Sequence, residues 1–271
     1  LLNIVARVVF AIAIFSLIRS PQDFLLVPLS HTAGYVVAAG LSLWIILKRF
    51  QVQAFIPDIR VLIDYLKRSF QFFLSRVSVS LYTVSNTFVV GLFLGNAAAG
   101  YYSAAEKLYN VMVTMYSPLS TALYPFMAHS RNLKLYRKVF TITVGFNLFA
   151  CTVVFVGAHL IIRLIFGDGF ETSANLLMMF AVLCALHVPA TLLGYPLLAA
   201  MGHPRYANFS VVVASLVHLG MLAAVMPFIA QLDVYVIPAL LIITQIIVLS
   251  IRSYGVHKKI VSVAEEAACA G

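Results

Sequence analysis

Long apolar segments separated by short polar connections make up most of the chain. Windows of about 19 residues predict eight membrane-spanning helices, because each apolar run approaches or exceeds the ~20 residues that an α-helix needs to cross a bilayer. The predicted spans are 1–18, 24–47, 70–94, 101–127, 139–162, 173–200, 207–230 and 234–251. We therefore expect an all-α fold, a polytopic transmembrane helical bundle.

The connections between these spans alternate in charge. One set of connections is rich in basic residues, namely Lys48, Arg49, Arg60, Lys67, Arg68, Arg131, Lys134, Arg137, Lys138, Arg205, Arg252, Lys258 and Lys259. The other set carries only Arg19 and Arg163. Because basic loops stay on the cytoplasmic side of a membrane, the pattern places the first set and the C-terminus in the cytoplasm.

Residues 51–68 interrupt the series of spans with a different pattern. Their apolar positions recur at helical spacing while the charged side chains lie elsewhere around the axis, which predicts a helix on the cytoplasmic membrane surface; a solvated linker helix is the alternative. The chain then divides into residues 1–50 with two spans, the linker 51–68, a six-span unit at 69–258 and a cytoplasmic tail at 259–271.

The composition agrees with a membrane protein and excludes several functional classes. The chain is 62% hydrophobic and 10% charged, whereas about a quarter of the residues of a soluble domain are charged. The net charge of +9 lies in short loops and not on a soluble face, so we expect no nucleic-acid partner. Cys151, Cys184 and Cys269 show neither a disulfide framework nor a metal-binding spacing.

Catalytic motifs are missing from the sequence. Only one acidic residue, Glu106, falls well inside a predicted span, so the membrane core cannot supply a pair of carboxylates for acid and base catalysis. No nucleophile elbow, phosphate-binding loop or zinc-protease motif is present. We therefore expect a protein that is not an enzyme and that needs no cofactor and no metal. We interpret His159 and His187 as packed core residues, with a proton relay as the alternative.

Two neighbouring spans carry polar stripes. At about 100° per residue, one face of the third span holds Ser69, Arg76, Ser80, Thr83 and Thr87. The corresponding face of the fourth span holds Ser103, Asn110, Thr114, Ser117 and Thr121, flanked by Glu106 and Lys107. Small hydroxyl residues alone often serve helix packing, but charged side chains in hydrocarbon are costly. The stripes therefore favour a polar cavity over simple packing.

The charged residues of these stripes have candidate roles. Arg76 lies near the cytoplasmic end of its span and Lys107 near the opposite end of its own, so cations are available at both mouths of a cavity. Arg7 in the first span is a third candidate, unless its side chain extends to the interface. We interpret Glu106 as a counter-charge to one of these cations, with ion or proton coupling as the alternative.

The same stretch carries a family resemblance. The runs Phe73-Leu74-Ser75-Arg76-Val77-Ser78-Val79-Ser80-Leu81-Tyr82-Thr83, Asn86-Thr87, Ala99-Gly100-Tyr101-Tyr102-Ser103-Ala104-Ala105-Glu106-Lys107, Pro118 and Ala122-Leu123-Tyr124-Pro125 closely resemble the Wzx-type O-antigen flippases. These form part of the polysaccharide transporter branch of the multidrug/oligosaccharidyl-lipid/polysaccharide exporter superfamily. The resemblance implies a twelve-span, two-lobe fold in which this chain supplies spans five to twelve, so that residues 1–50 end the N-terminal lobe and about four earlier spans are missing.

The resemblance also implies an activity. It implies that an undecaprenyl-pyrophosphate-linked oligosaccharide moves from the cytoplasmic to the periplasmic leaflet of the bacterial inner membrane by alternating access, driven by a proton or sodium gradient and alongside other polysaccharide assembly proteins. Arg76 and Lys107, with Arg7, are then expected at the pyrophosphate, beside the polar residues Ser80, Thr83, Thr87 and Asn110. Aromatic side chains on the fourth span, Tyr102, Tyr109 and Tyr124, are candidates for stacking on sugar rings, with helix packing or interfacial anchoring as the alternative. A drug or cation antiporter of the same superfamily and a non-transporting scaffold of polysaccharide assembly are the alternative functions.

Overall fold

The computed structural model describes part of the chain in detail. It describes residues 2–17, 23, 26–49 and 58–261, without the side chains of residues 2–4, 17, 68, 71–72, 74–85, 230 and 261. The chain separates into two compact units, residues 1–66 and residues 67–271. The predicted division at residues 50, 68 and 258 stays a prediction, and much of the predicted linker, residues 51–57, lies outside the described residues.

The first unit contains two helices that pack against each other. These are α1 (Leu2–Leu17) and α2 (Leu26–Arg49). They approach closely at Gly34, where a Cβ atom would lie 2.5 Å from the carbonyl oxygen of Ala6. A glycine is therefore required at this contact, as at many helix contacts in membranes.

The rest of the described chain is also helical and contains no strand. The elements are α3 (Ile59–Thr114), α4 (Ser117–Ser130), α5 (Leu133–Phe166), α6 (Glu171–Leu192) with a wide π-helical segment (Leu193–Ala199), α7 (Pro204–Val225), a 3₁₀ turn (Met226–Phe228), α8 (Ile229–Leu232), and α9 (Val236–Val256) with a final π-helical turn (His257–Val261). The prediction of an all-α, polytopic helical bundle is confirmed.

Six helical stretches are long and apolar enough to cross a membrane. They are Leu26–Arg49, Asn86–Ser130, Leu133–Phe166, Glu171–Ala199, Pro204–Phe228 and Val236–Ile260. Two of the eight predicted spans stay predictions. The described part of α1 has 16 residues and is followed by residues outside the described ranges, and the predicted third span lies largely in residues 71–85, where most side chains are not described. The orientation of the chain stays a prediction.

The chain reverses direction inside α3. Gly95 has φ 86° and ψ 171°, a conformation that favours glycine. Across this break Thr87 hydrogen-bonds to Glu106, and a Cβ atom on Gly91 would lie 3.5 Å from that of Ala99. The two arms of α3 therefore lie side by side as an antiparallel hairpin. The predicted spans 70–94 and 101–127 leave a connection of six residues between them, which is too long, because helix resumes directly after Gly95 and the next residues continue the second arm.

Helix α6 is the central element of the second unit. Half of its most apolar stretch is buried, more than in the other candidate spans. One hydrophobic cluster surrounds its first half and includes Tyr102 and Phe180. A second cluster surrounds its last turns and includes Met127 and Tyr136. Because neighbours cover α6 on several sides, this helix is apolar around most of its circumference, and it holds the other helices at fixed positions around it.

Candidate functional site

A cavity of about 820 Å³ lies inside the second unit. Residues from α3, α4, α6, α7 and α9 line it. Its titratable lining residues are Glu106, His187 and Arg252. Its ring-bearing side chains are Tyr109, Tyr124, Phe180 and Tyr195, and its amides and hydroxyls are Asn86, Asn110, Gln245, Ser120, Thr121, Thr191 and Thr244. This volume falls within the roughly 300–1,000 Å³ typical of small-molecule sites.

Glu106 brings negative charge to the cavity wall. Its half-buried carboxylate accepts a hydrogen bond from the Thr87 hydroxyl, with 3.1 Å between Thr87 Oγ1 and Glu106 Oε2. The only ion pair among the described side chains joins Arg163 to Asp168, so none of them forms a salt bridge with Glu106. The predicted counter-charge role stays a prediction, because the side chain of Arg76 lies outside the described residues.

Five of the predicted site residues lie at this cavity. Glu106, Tyr109, Asn110 and Tyr124 line it, and Thr87 reaches it through its hydrogen bond to Glu106. Tyr102 is instead fully buried in the core, with its ring 5.5 Å from that of Phe180, and its hydroxyl has no hydrogen-bond partner among the described groups. Its position is that of a packed core aromatic.

The remaining predicted residues lie elsewhere or are not described. Lys107 is exposed and is not a lining residue of the cavity. Arg7 is exposed on α1 in the other unit. Ser80 and Thr83, like Arg76, have side chains outside the described residues. Of the predicted stripe on the third span, the structure describes the side chains of Ser69, which is exposed, and of Thr87.

A buried hydrogen-bonded triad joins three helices at the cavity. His218 on α7 is fully buried; its Nδ1 lies 2.9 Å from Thr244 Oγ1 on α9, and its Nε2 lies 2.9 Å from Asn86 Oδ1 on α3. The Thr244 hydroxyl donates to the Leu240 carbonyl at 2.7 Å. Thr244 therefore accepts from the ring, which makes Nδ1 the donor and Nε2 of the neutral imidazole an acceptor. The Asn86 amide, whose oxygen and nitrogen exchange places on a 180° turn, then presents its NH₂ group to Nε2. Since Asn86 and Thr244 both line the cavity, the triad sets the orientation of two polar groups in its wall.

Arg252 is a cavity residue that the sequence placed wrongly. The charge pattern assigned it to a cytoplasmic connection, but α9 continues to Val256 and buries Arg252 among α6, α7 and α9. Its Nε donates to Ser210 Oγ at 2.9 Å, its Nη1 to the Ala190 carbonyl at 2.7 Å and its Nη2 to the Ala207 carbonyl at 3.3 Å. Such charge-assisted bonds tie three helices together.

The break in α6 explains why these donors are needed. Pro196 has no N–H, so the Leu192 carbonyl four residues earlier loses its helical partner, and the Tyr136 hydroxyl of α5 donates to it at 3.0 Å. Gly194 is non-helical, with ψ −106°, and a Cβ atom there would lie 2.7 Å from Arg252 Nη1. In lipid such carbonyls must be satisfied within the protein. Tyr136 and Arg252 thus stabilise the segment that carries Tyr195 to the cavity.

Two of the cysteines that look isolated in the sequence meet in the fold. Cys151 on α5 and Cys184 on α6 are buried free thiols, and each Sγ lies 3.6 Å from Asn147 Oδ1. Asn147 also donates from Nδ2 to the Cys184 carbonyl at 3.3 Å. The described residues contain no group of three or more His, Cys, Asp or Glu side chains that could hold a metal ion. This cluster serves the contact between α5 and α6.

Comparison with known proteins gives a consistent picture. The family described as "Polysaccharide biosynthesis protein" matches residues 1–131. A protein of Shigella dysenteriae named "Putative O-antigen transporter" is 23% identical over 224 residues, which cover 79% of this chain and 55% of that protein. The chain is similar to O-antigen transporters. An Escherichia coli K12 protein of the same name is 18% identical over 227 residues, covering 80% of this chain and 54% of that protein.

These matches confirm the predicted resemblance to a Wzx-type polysaccharide transporter. The chain spans about half the length of the curated relatives it matches. No solved structure matches it significantly. With its apolar helices, the chain is a multi-pass membrane protein whose relatives are named as transporters and not as enzymes.

Proposed function

We propose that this protein moves an undecaprenyl-pyrophosphate-linked oligosaccharide from the cytoplasmic to the periplasmic leaflet of the bacterial inner membrane by alternating access. The observation that carries this proposal is the similarity to two O-antigen transporters over about four fifths of the chain. A cavity among the apolar helices, with polar as well as apolar side chains in its lining, supports it. The bundle exterior is apolar enough for a polyprenyl chain to stay in lipid while the polar part of the substrate crosses inside the protein.

The head group needs positive charge along its path. A pyrophosphate buried without compensating cations is very costly, whereas Arg and Lys form strong charge-assisted bonds with it. Arg76, Lys107 and Arg7 remain our proposed contacts for this group. A proton or sodium gradient remains the proposed driving force, and Glu106 the proposed counter-charge or coupling residue.

The experiment is complementation in cells that lack their own O-antigen transporter, with surface polysaccharide measured by gel and by antibody. Arg76→Ala and Lys107→Ala in the complete protein are expected to reduce surface O-antigen while membrane insertion stays normal. Arg163→Ala is the control, because Arg163 is 73% exposed and pairs only with the exposed Asp168. Unchanged surface polysaccharide in both test variants would show that these cations do not bind the head group. No complementation by the unmodified protein would refute the transport proposal.

Export of a lipophilic cation is a second candidate function, and one observation favours it. The Glu106 carboxylate shares the cavity with the rings of Tyr109 and Phe180, and acidic and aromatic groups together attract organic cations. If this function is correct, cells producing the protein should expel tetraphenylphosphonium, and Glu106→Gln should abolish that efflux. Under the flippase proposal, efflux of the cation should equal that of cells without the protein.

A further inference from the structure

The described charged side chains of the cavity wall are poorly suited to binding a diphosphate. Of the described lining residues, Arg252 is the guanidinium and Glu106 the carboxylate. Arg252 already donates to two carbonyls and one hydroxyl. A diphosphate here would therefore have to compete with backbone carbonyls for Arg252 and would lie near a carboxylate, which is an unfavourable arrangement for a buried anion.

The remaining lining combines amides and hydroxyls with apolar side chains such as Val211 and Leu241, which suits a neutral ligand that has both hydroxyls and C–H faces. Amides and hydroxyls, including those of Asn110, Gln245 and Thr191, offer both donors and acceptors. The Tyr109 ring is stacked on that of Phe180, with 5.2 Å between centroids and 28° between planes. Such rings present a flat apolar face to the C–H face of a sugar, while the surrounding polar groups bond its hydroxyls.

Hydrogen bonds within the protein already orient several polar side chains of the cavity wall before a ligand binds. His218 holds Asn86 and Thr244 in place, each at 2.9 Å. The Tyr195 hydroxyl donates to Asn208 Oδ1 at 2.6 Å, so the segment after the α6 break is tethered to α7. Polar groups that are already oriented lose little freedom when a ligand binds, which is the basis of specificity in small-molecule sites.

We propose that the cavity of the second unit binds the saccharide part of the substrate, and that the diphosphate binds elsewhere in the complete transporter. This inference rests on the proposed function and specifies which part of the substrate this cavity recognises. Tyr109 supplies the stacking surface, and Asn110, which is exposed to the cavity, supplies a hydrogen bond that selects among sugars. Glu106 accepts a hydrogen bond from a sugar hydroxyl, as it now does from the Thr87 hydroxyl.

The test uses saturation-transfer NMR and titration on the purified chain in lipid nanodiscs. The first probe is the repeat-unit oligosaccharide released by mild acid from the lipid-linked intermediate of the producing cells, freed of phosphate. Inorganic pyrophosphate and tetraphenylphosphonium are the competing probes, at constant ionic strength. We expect the oligosaccharide to receive saturation from aromatic protons and inorganic pyrophosphate not to displace it.

Variants connect this binding to the cavity. Tyr109→Ala should weaken oligosaccharide binding about two- to tenfold, the range expected for loss of an aromatic contact, and Tyr109→Phe should retain it. Asn110→Ala should also weaken oligosaccharide binding. It removes an exposed side chain of the cavity wall and leaves the hydrophobic core intact. Tyr254→Ala is the control, because Tyr254 is 57% exposed on α9 and is not a lining residue of the cavity.

Each other result overturns the proposal in a distinguishable way. Displacement of the oligosaccharide by pyrophosphate, lost in Arg252→Met, would assign the cavity to the diphosphate and leave the flippase proposal standing. Binding of tetraphenylphosphonium alone, lost in Glu106→Gln, would refute both the saccharide site and the flippase proposal. Equal oligosaccharide binding by the Tyr109→Ala, Asn110→Ala and unmodified proteins would place the sugar outside this cavity. Absence of any oligosaccharide binding would reject the saccharide site, while complementation would still decide transport.

Discussion

Replacement of Arg252 by Met tests whether one buried guanidinium holds the broken helix α6 against α7 and α9. The substitution keeps an unbranched apolar side chain but removes the donors to Ala190, Ala207 and Ser210. A hydrogen bond between membrane helices contributes on average ~0.6 and at most ~1.7 kcal/mol. Loss of three such bonds should therefore cost roughly 2 to 5 kcal/mol.

The two buried cysteines provide the assay. Cys151 and Cys184 are 5% and 0% exposed, so a thiol-reactive fluorescent dye labels them only when the second unit opens. Cys269, which lies outside the described residues, is replaced by Ser in every variant so that only the buried pair reports. For a unit of this size, such a loss lowers the midpoint of thermal labelling by on the order of 10 °C.

Arg163→Met is the matched control for Arg252→Met. Arg163 also carries a guanidinium on a membrane helix, but its bond to Asp168 is exposed, and exposed ion pairs contribute less than ~1 kcal/mol. Its midpoint should shift by no more than about 2 to 3 °C. Equal midpoints for the Arg163→Met and Arg252→Met proteins would refute the conclusion that Arg252 stabilises the break in α6.

Three further outcomes follow from the same contacts and are measured by the same dye assay. Gly194→Ala should destabilise the unit by about 1 to 3 kcal/mol because its Cβ would meet Arg252, whereas Gly220→Ala, with open space at its Cβ, should be neutral or stabilising. Tyr136→Phe should cost about 1 kcal/mol, since the Leu192 carbonyl loses its donor. His218→Phe and Thr244→Val should couple in a double-mutant cycle by about 0.5 to 1.5 kcal/mol.

Specific results would contradict these expectations. Equal midpoints for the two glycine variants would show that the contact at Gly194 yields without cost. An unchanged midpoint in Tyr136→Phe would mean that the Leu192 carbonyl finds another partner. Strictly additive effects of the His218 and Thr244 substitutions would show that their bond contributes nothing to the fold.

The sequence correctly predicted most of the helices, but it misjudged where some of them end. Hydropathy places α5, α6 and α7 well because burial in lipid demands long apolar runs. It failed at Arg252, because a charge count assigns a basic residue near a predicted span end to a loop, while the fold continues α9 for another turn. It also failed at residues 95–100, where a run of small residues looks like a turn and yet only Gly95 leaves the helix.

The residues of the candidate site also divide into those that the sequence predicted and those that it missed. Helical periodicity indicated Thr87, Glu106, Tyr109 and Asn110, because residues on one face of a helix share an environment whatever the partner is. It could not indicate His218, whose two hydrogen-bond partners lie 26 and 132 residues away in the chain. Nor could it separate Tyr102 from Tyr109, because these residues are about two helical turns apart and lie on nearly the same face of the helix, so only the packing around each ring decides whether it meets the core or the cavity.

By itself, the sequence determined that this is a polytopic membrane bundle, that it resembles polysaccharide transporters, and which face of the Glu106 helix is polar. Amino-acid composition and helical periodicity suffice for these conclusions, because the conclusions depend only on local chain geometry and on the requirements of the lipid. Only the tertiary structure decided which charges share a cavity. Arg252, which was predicted in a loop, lines the cavity, and Lys107 does not. Asn86, His218 and Thr244 lie on three different helices and are in contact. Such contacts depend on the packing of helices that are far apart in sequence, and no local pattern encodes them.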